Sequence, residues 1–192
     1  NDTTINLELR ISTILCNNIV VMGAIYDIRK LDSEHWFVYK HLRLSALKND
    51  PQAFIGIHEE KLKVSDEAWK SQFNYEHTRI LFMFEGNQAM GMCGYDINHY
   101  SRNAHVASIY YVYIHPDYRK QGLGTQLLTA AIEDIKKLHP QVIKLKLEVS
   151  SAQLGAVHMY EKSGFVRCGT YKMEIMYHDE YYDTILMEKF IR

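Results

Sequence analysis

The residues best placed to do chemistry lie in one short turn. Tyr118-Arg119-Lys120-Gln121-Gly122-Leu123-Gly124-Thr125 joins a run rich in Val, Ile and Tyr to a run with helical periodicity. Its glycines permit a tight turn in which backbone N–H groups point outward together, and they remove side chains that would keep an anion from the backbone. The N-terminus of the following helix adds partial positive charge, and Arg119 and Lys120 add full charge. A pyrophosphate fits such a cradle. The same residues also read as an ordinary glycine-containing turn with solvated basic side chains. The spacing matches neither common nucleotide loop: there is no GxxxxGK[ST], and the unit lacks both GxGxxG and the parallel βαβ repeat that follows it in dinucleotide folds.

The elements that position this turn are legible on both sides. Val106 to Ile114 reads as a strand, ended by His115-Pro116. From Gly122 to Leu138, Leu123, Leu127, Leu128, Ala131, Ile132, Ile135 and Leu138 fall on one helical face, with Lys136 and Lys137 near its C-terminal dipole. Ile143, Leu145, Leu147 and Val149 alternate with Lys144, Lys146 and Glu148, the period of a strand with one buried face. Gln153 to Ser163 reads as a helix closed by Gly164, with strands following near 165–172 and 182–190. Upstream, Ile25 to Ile28 reads as a short strand. Asp32 then caps a helix that carries Trp36, Tyr39, Leu42 and Ala46 inward and stops at Asp50-Pro51. A second helix starts after Ser65 with Trp69 facing inward. Arg79 to Phe84 and Ala89 to Tyr95 flank Gly86-Asn87, a hairpin signal. The fold class expected is mixed α/β (α+β), with helices covering a largely antiparallel sheet.

Composition narrows the functional classes. The 192 residues carry 22 Lys and Arg against 23 Asp and Glu, a net charge of −1, so no field of one sign gathers nucleic acid or an anionic membrane. One domain is the expectation at this length, with residues 1–22 as an N-terminal extension and 23–192 as the domain. The stretch from Ile11 to Ile25 lacks a basic n-region and is interrupted by Asn17 and Asn18. It is read as an extra strand or loose arm, with Met22 as an alternative start, rather than as a signal peptide or membrane span. Three widely spaced cysteines, Cys16, Cys93 and Cys168, suggest neither disulfides nor a metal site, and point to free thiols in the cytoplasm.

The run from Val112 to Gly124, with its Arg-x-x-Gly-x-Gly, resembles the central motif of the GNAT N-acetyltransferases. Leu147-Glu148-Val149 through Ala156, Tyr160, Gly164 and Phe165 resembles that family's second motif. Leu42-Arg43-Leu44-x-Ala46-Leu47 and Asp50-Pro51-x-Ala53-Phe54 look like the opening helix of many bacterial members. The resemblance covers nearly everything from Tyr26 onward. It implies a mostly antiparallel sheet with one splayed parallel strand pair, and acetyl-coenzyme A as co-substrate with no metal.

It also implies roles. Backbone groups of Val112, Tyr113 and Ile114 would hold the pantetheine arm. Arg119, Lys120, Gln121, Gly122, Leu123, Gly124 and Thr125 would hold the phosphates, mostly through amides. Gln153 stands where many members place an asparagine on the pantetheine. Tyr160 matches the tyrosine that protonates the leaving thiolate. The base is open: Ser108 aligns with the glutamate of histone-acetylating relatives and accepts protons poorly, Glu148 could act through water, and His105 and His158 have suitable ordinary pKa values. The acceptor is a small-molecule or peptide amine. Tyr171, Tyr177, Tyr181 and Tyr182 with Glu174, Asp179, Glu180 and Asp183 suggest a pocket for a small cationic amine. A protein N-terminal acetyltransferase and a non-catalytic acyl-coenzyme A-binding module are the alternatives, and a homodimer is a further expectation from the family.

Overall fold

The computed structural model describes residues 17–21, 24–71 and 78–192. Most of the N-terminal arm, including Cys16, lies outside the described residues; Asn17–Val21 form strand β1. The chain continues through β2 (Ala24–Lys30), α1 (Trp36–Asn49), α2 (His58–Lys61), α3 (Asp66–Ser71), β3 (Thr78–Glu85), β4 (Gln88–Ile97) and β5 (Val106–Ile114). It closes with α4 (Leu123–Leu138), β6 (Lys144–Ser150), α5 (Leu154–Lys162), β7 (Val166–Tyr177) and β8 (Glu180–Phe190). The strands form one sheet in the order β1-β2-β3-β4-β5-β6-β8-β7. Every neighbouring pair is antiparallel except β5 and β6, which are joined through α4 and run parallel. No described helix is long and apolar enough to cross a membrane.

Two apolar layers sandwich the sheet because its central strands bury both faces. Leu81, Met83, Cys93 and Tyr95 pack with Leu123, Leu127, Leu128, Ala131 and Ile135 of α4 and with Val157 and Tyr160 of α5. Phe82, Phe84 and Met92 pack on the opposite face with Val38, Tyr39, Leu42 and Ala46 of α1 and with Trp69 of α3. Each large side chain so buried contributes roughly 1.5–3 kcal/mol. Leu138, expected on the inner face of α4, is more than a third exposed, since the helix runs past the sheet there. Asp32 caps as expected, its carboxylate accepting from Glu34 N–H, and a single 3₁₀ turn precedes α1.

β5 carries an irregularity that the sequence pattern does not announce. Its register with β4 jumps from Gly94↔Tyr110 to Met92↔Tyr113, so two residues of β5 oppose one of β4. Tyr111 lies in the bulge with φ of 54°, a left-handed conformation that costs a non-glycine residue about 1–3 kcal/mol. The bulge reverses the alternation along the strand. Ile109 faces the α4 layer, Tyr113 faces the α1 layer, and Ile114 returns to the α4 side.

Candidate active site

The bulge opens the sheet. β5 pairs with β6 only from Val106↔Lys144 to Ile109↔Leu147, and the two strands then part. Beyond that point β6 continues on its other edge with β8, to Ser150↔Thr184. Tyr110 to Ile114 and Glu148 to Ser150 are left facing a cleft of about 750 Å³. Val112, Tyr113 and Ile114 all line it, as expected of a strand that meets a ligand through its main chain. The Ile114 carbonyl is already engaged, accepting from Arg119 Nε at 2.8 Å.

The turn after β5 forms the cradle at one end of the cleft. Lys120 at φ 64° and Gly122 at φ 78° bring the chain round into α4. Among the described residues, the backbone N–H groups of Lys120 through Thr125 donate to no backbone carbonyl; the first helical bond runs from Gln126 N–H to Gly122 O at 3.2 Å. Six consecutive amides, in the turn and the first residues of α4, are thus left without a backbone acceptor. The two glycines serve different ends. A Cβ on Gly122 would meet nothing within 4 Å, so glycine is required there by the backbone angle. A Cβ on Gly124 would come 3.0 Å from Met159 Sδ, so its bareness lets α5 pack against α4 rather than clearing space for phosphate. Leu123 is buried and has only its amide to offer. Gln121 receives a hydrogen bond from Tyr26 Oη at 3.3 Å. Arg119 does not present a free charge: Nη1 and Nη2 both donate to the carboxylate of Asp50, which fastens α1 to the turn.

Tyr160 lies on α5 with its ring edge-on to Phe165 at 5.9 Å, and it lines the cleft. Burial, with a smaller contribution from Cys93, raises its phenol pKa well above the ordinary value, so the hydroxyl stays a neutral proton donor. Gln153 lines the same wall at the N-cap of α5; its backbone N–H bonds Ser150 O at 3.0 Å, and its side chain does not cap the helix. Glu148 also lines the cleft, exposed on the face of β6 opposite Leu147 and Val149. The structure does not bring Ser108, His105 or His158 to this cleft. Ser108 is paired between Asp96 and Lys146 in the closed part of the sheet, and His158 is on the outer side of α5. The His105 carbonyl accepts from Ile143 and Lys144 at the far end of β6. Among the described residues no group of three or more His, Cys, Asp or Glu side chains gathers to hold a metal.

Two participants had no signal of their own in the sequence pattern. Asp50 reads there as a helix stop, yet it is the partner of Arg119. Arg43 reads as part of an opening-helix signature, yet it lines the cleft, 7% exposed, with Nη1 making no hydrogen bond. Its guanidinium sits between aromatic faces, 4.6 Å from the centre of Phe54 and 4.4 Å from that of Tyr111. The late hairpin, by contrast, does not converge on the cleft with its acids. Lys172 and the Met173 N–H engage Asp183 and hold its carboxyl below the usual range, and Tyr182 donates to Glu180. Glu174 and Tyr177 line a smaller adjoining groove with Phe54 and Ile55.

Residues 26–165 match the acetyltransferase (GNAT) family. The [ribosomal protein bS18]-alanine N-acetyltransferase of Escherichia coli is 37% identical over 59 residues, a stretch covering 31% of this chain and 38% of that enzyme. The curated relatives are thus matched over only 26% to 38% of their own lengths. An acetyltransferase of the GNAT family from Streptococcus pneumoniae shares the fold with a TM-score of 0.75 and 24% identity, covering 87% of this chain and 99% of that one. A putative acetyltransferase from Salmonella typhimurium, solved with acetyl-CoA, superposes with a TM-score of 0.72 and 14% identity over 86% of this chain and 93% of that one. With residues 26–165, most of its length, matched to that family, the chain belongs to the acetyltransferase (GNAT) family.

Proposed function

We propose that the protein transfers an acetyl group from acetyl-coenzyme A to a primary amine by direct attack. The observation that carries this reading is the opening of the β5–β6 ladder into a cleft lined both by the turn residues Lys120, Gly122, Leu123, Gly124 and Thr125, whose amides have no backbone acceptor, and by Tyr160. The acetyl-CoA bound to the Salmonella typhimurium neighbour supports it. The amides of Lys120 to Thr125 would hold the pyrophosphate, with the Thr125 hydroxyl beside them. Main-chain groups of Val112 and Tyr113, the N–H of Ile114 and the Gln153 carboxamide would hold the pantetheine arm. Arg119, tied to Asp50, fixes the turn that presents these groups.

Bound acetyl-coenzyme A supplies the thioester carbonyl that the amine attacks. An alkylammonium, with a pKa of about 10, must first lose a proton, and Glu148 at the open side of the cleft would accept it through water. As the carbon–nitrogen bond forms and the carbon–sulfur bond breaks, Tyr160 gives its proton to the departing sulfur. Burial keeps that phenol protonated across the neutral range. The free thiol of the exposed Cys168 suits a reducing compartment, the cytoplasm.

The acceptor is an amine that reaches Glu148. A small cationic amine held by the late hairpin loses most of its support, because Asp183 and Glu180 are already engaged there. Likeness to the Escherichia coli enzyme favours, as a second reading, the α-amine of a protein N-terminus. Free-thiol release from acetyl-coenzyme A, measured with small amines, amino acids and short peptides beside calorimetric binding of coenzyme A, tests the reading. Thiol release is expected. Tight binding without release across the panel would favour a non-catalytic module, and absence of binding would sink the cradle assignment.

A further inference from the structure

Arg43 is a buried cation lining the cleft, and among the described residues no carboxylate engages it. Burial lowers its guanidinium pKa, but from an ordinary value so high that the group stays a cation at neutral pH, and a full charge is left largely away from water. Stacking between Phe54 and Tyr111 offsets part of that cost and fixes the plane of the group, but it satisfies none of the N–H donors. Nη1 is fully covered and bonds to nothing, which leaves Nε and Nη2, with no hydrogen bond among the described residues, as the edge that a ligand can reach. Two carboxylates line the same cleft. Asp50 is consumed by Arg119, whereas Glu148 forms no ion pair among the described residues. Among the described residues the cleft therefore presents two cations without a carboxylate partner, Lys120 in the turn before α4 and Arg43 clamped between rings, and one carboxylate without an ion pair, Glu148, at its exposed side. The bulge that opens the sheet also places Tyr111, the lower face of the clamp, so cofactor opening and cation site are built by the same local distortion.

We infer that the acceptor is an amino carboxylate, whose carboxylate is bound by the planar fork of Arg43 while its amine faces Glu148. A planar guanidinium pairs with a carboxylate through two parallel hydrogen bonds, which an amine lacking the carboxylate cannot replace. The inference rests on the acetyl-transfer reading above and names its substrate class.

The test compares matched amines that differ only in the carboxylate: lysine with cadaverine, tyrosine with tyramine, and β-alanine with ethylamine. For at least one pair, kcat/KM by thiol release should favour the carboxylate-bearing member by roughly 30-fold or more, in the range of a buried hydrogen-bonded charge pair. In Arg43→Gln the ratio should fall to about one, and Arg43→Lys, which keeps the charge without the fork, should fall between. Calorimetric binding of coenzyme A to each variant reports an intact fold, and the ratio itself is insensitive to a general loss of activity. Equal or greater turnover of the bare amines by the wild-type protein overturns the inference while leaving acetyl transfer standing. So does a ratio that survives Arg43→Gln. Failure of every amine to release thiol overturns the acetyl-transfer reading, and this inference with it.

Discussion

The role proposed for Tyr160 depends on its surroundings. A tyrosine on the buried stripe of a helix is ordinarily packing, and Tyr160 does pack against Phe165. Its hydroxyl differs from those of two other buried tyrosines: Tyr95 donates to Asp134 at 2.6 Å and the Tyr113 hydroxyl is bonded to Ser45 and Asn49, whereas the Tyr160 hydroxyl, bordering the cleft, has no hydrogen-bond partner among the described residues. Tyr160→Phe should lower kcat about 100-fold, the lower range for a general acid, with coenzyme A affinity little changed. Stopped-flow thiol release beside calorimetry checks both numbers; an unchanged kcat would remove Tyr160 from the chemistry. Its identity could be read from the sequence only through resemblance, because neither spacing nor periodicity distinguishes it from a core residue.

At the scale of elements, the site is made by the mismatch between β4 and β5. Their close approach above the bulge depends on Gly91, where a Cβ would meet Tyr113 O at 2.9 Å and Ile114 Cδ1 at 2.5 Å. The first contact is with backbone and cannot be relieved by a rotamer change. Gly91→Ala should therefore destabilise the protein by about 1–3 kcal/mol and weaken coenzyme A binding together, as β5 is pushed from its register. Thermal melts and calorimetry on the same variant check this; a normal melt would show that β5 has room to move. The phosphate turn, α4 and β6 were all visible in the sequence, because glycine spacing, helical period and strict alternation are local signals. The bulge was not visible, since Tyr111 sits in an unbroken run of strand-forming residues and adopts a left-handed angle only where the register with β4 shifts and Tyr39 and Arg43 of α1 pack against its ring.

Across the described residues, the two layers on either face of the sheet bury Tyr26, Tyr39, Tyr95, Tyr113 and Tyr160. Burial is the leading cause of raised phenol pKa values at Tyr39, Tyr95, Tyr113 and Tyr160. In the unfolded chain these phenols titrate near 10, whereas the folded state retains their protons to higher pH. Stability is therefore full below pH 10 and falls as pH rises above it, because ionisation then pulls the equilibrium toward the unfolded state. Melting temperature followed by circular dichroism from pH 8 to 11.5 should be level to about pH 10 and then drop. A flat profile throughout would mean that these rings are not held as buried neutral phenols.

The sequence by itself determined the family resemblance, the glycine turn, and the helix and strand that flank it, because these depend on residue type and short-range spacing. Tertiary structure alone decided what the charges do. Asp50 and Arg119 are 69 residues apart in the chain, and only folding makes their opposite charges a pair that leaves the cradle to its amides. Two acids of the late hairpin, Asp183 and Glu180, look available in sequence and are engaged by Lys172 and Tyr182 in space. Arg43 looks like one more basic residue on a helix until Phe54 and Tyr111 close over it. Partnership between charges is a property of distance, and distance between remote residues is set only when the chain folds.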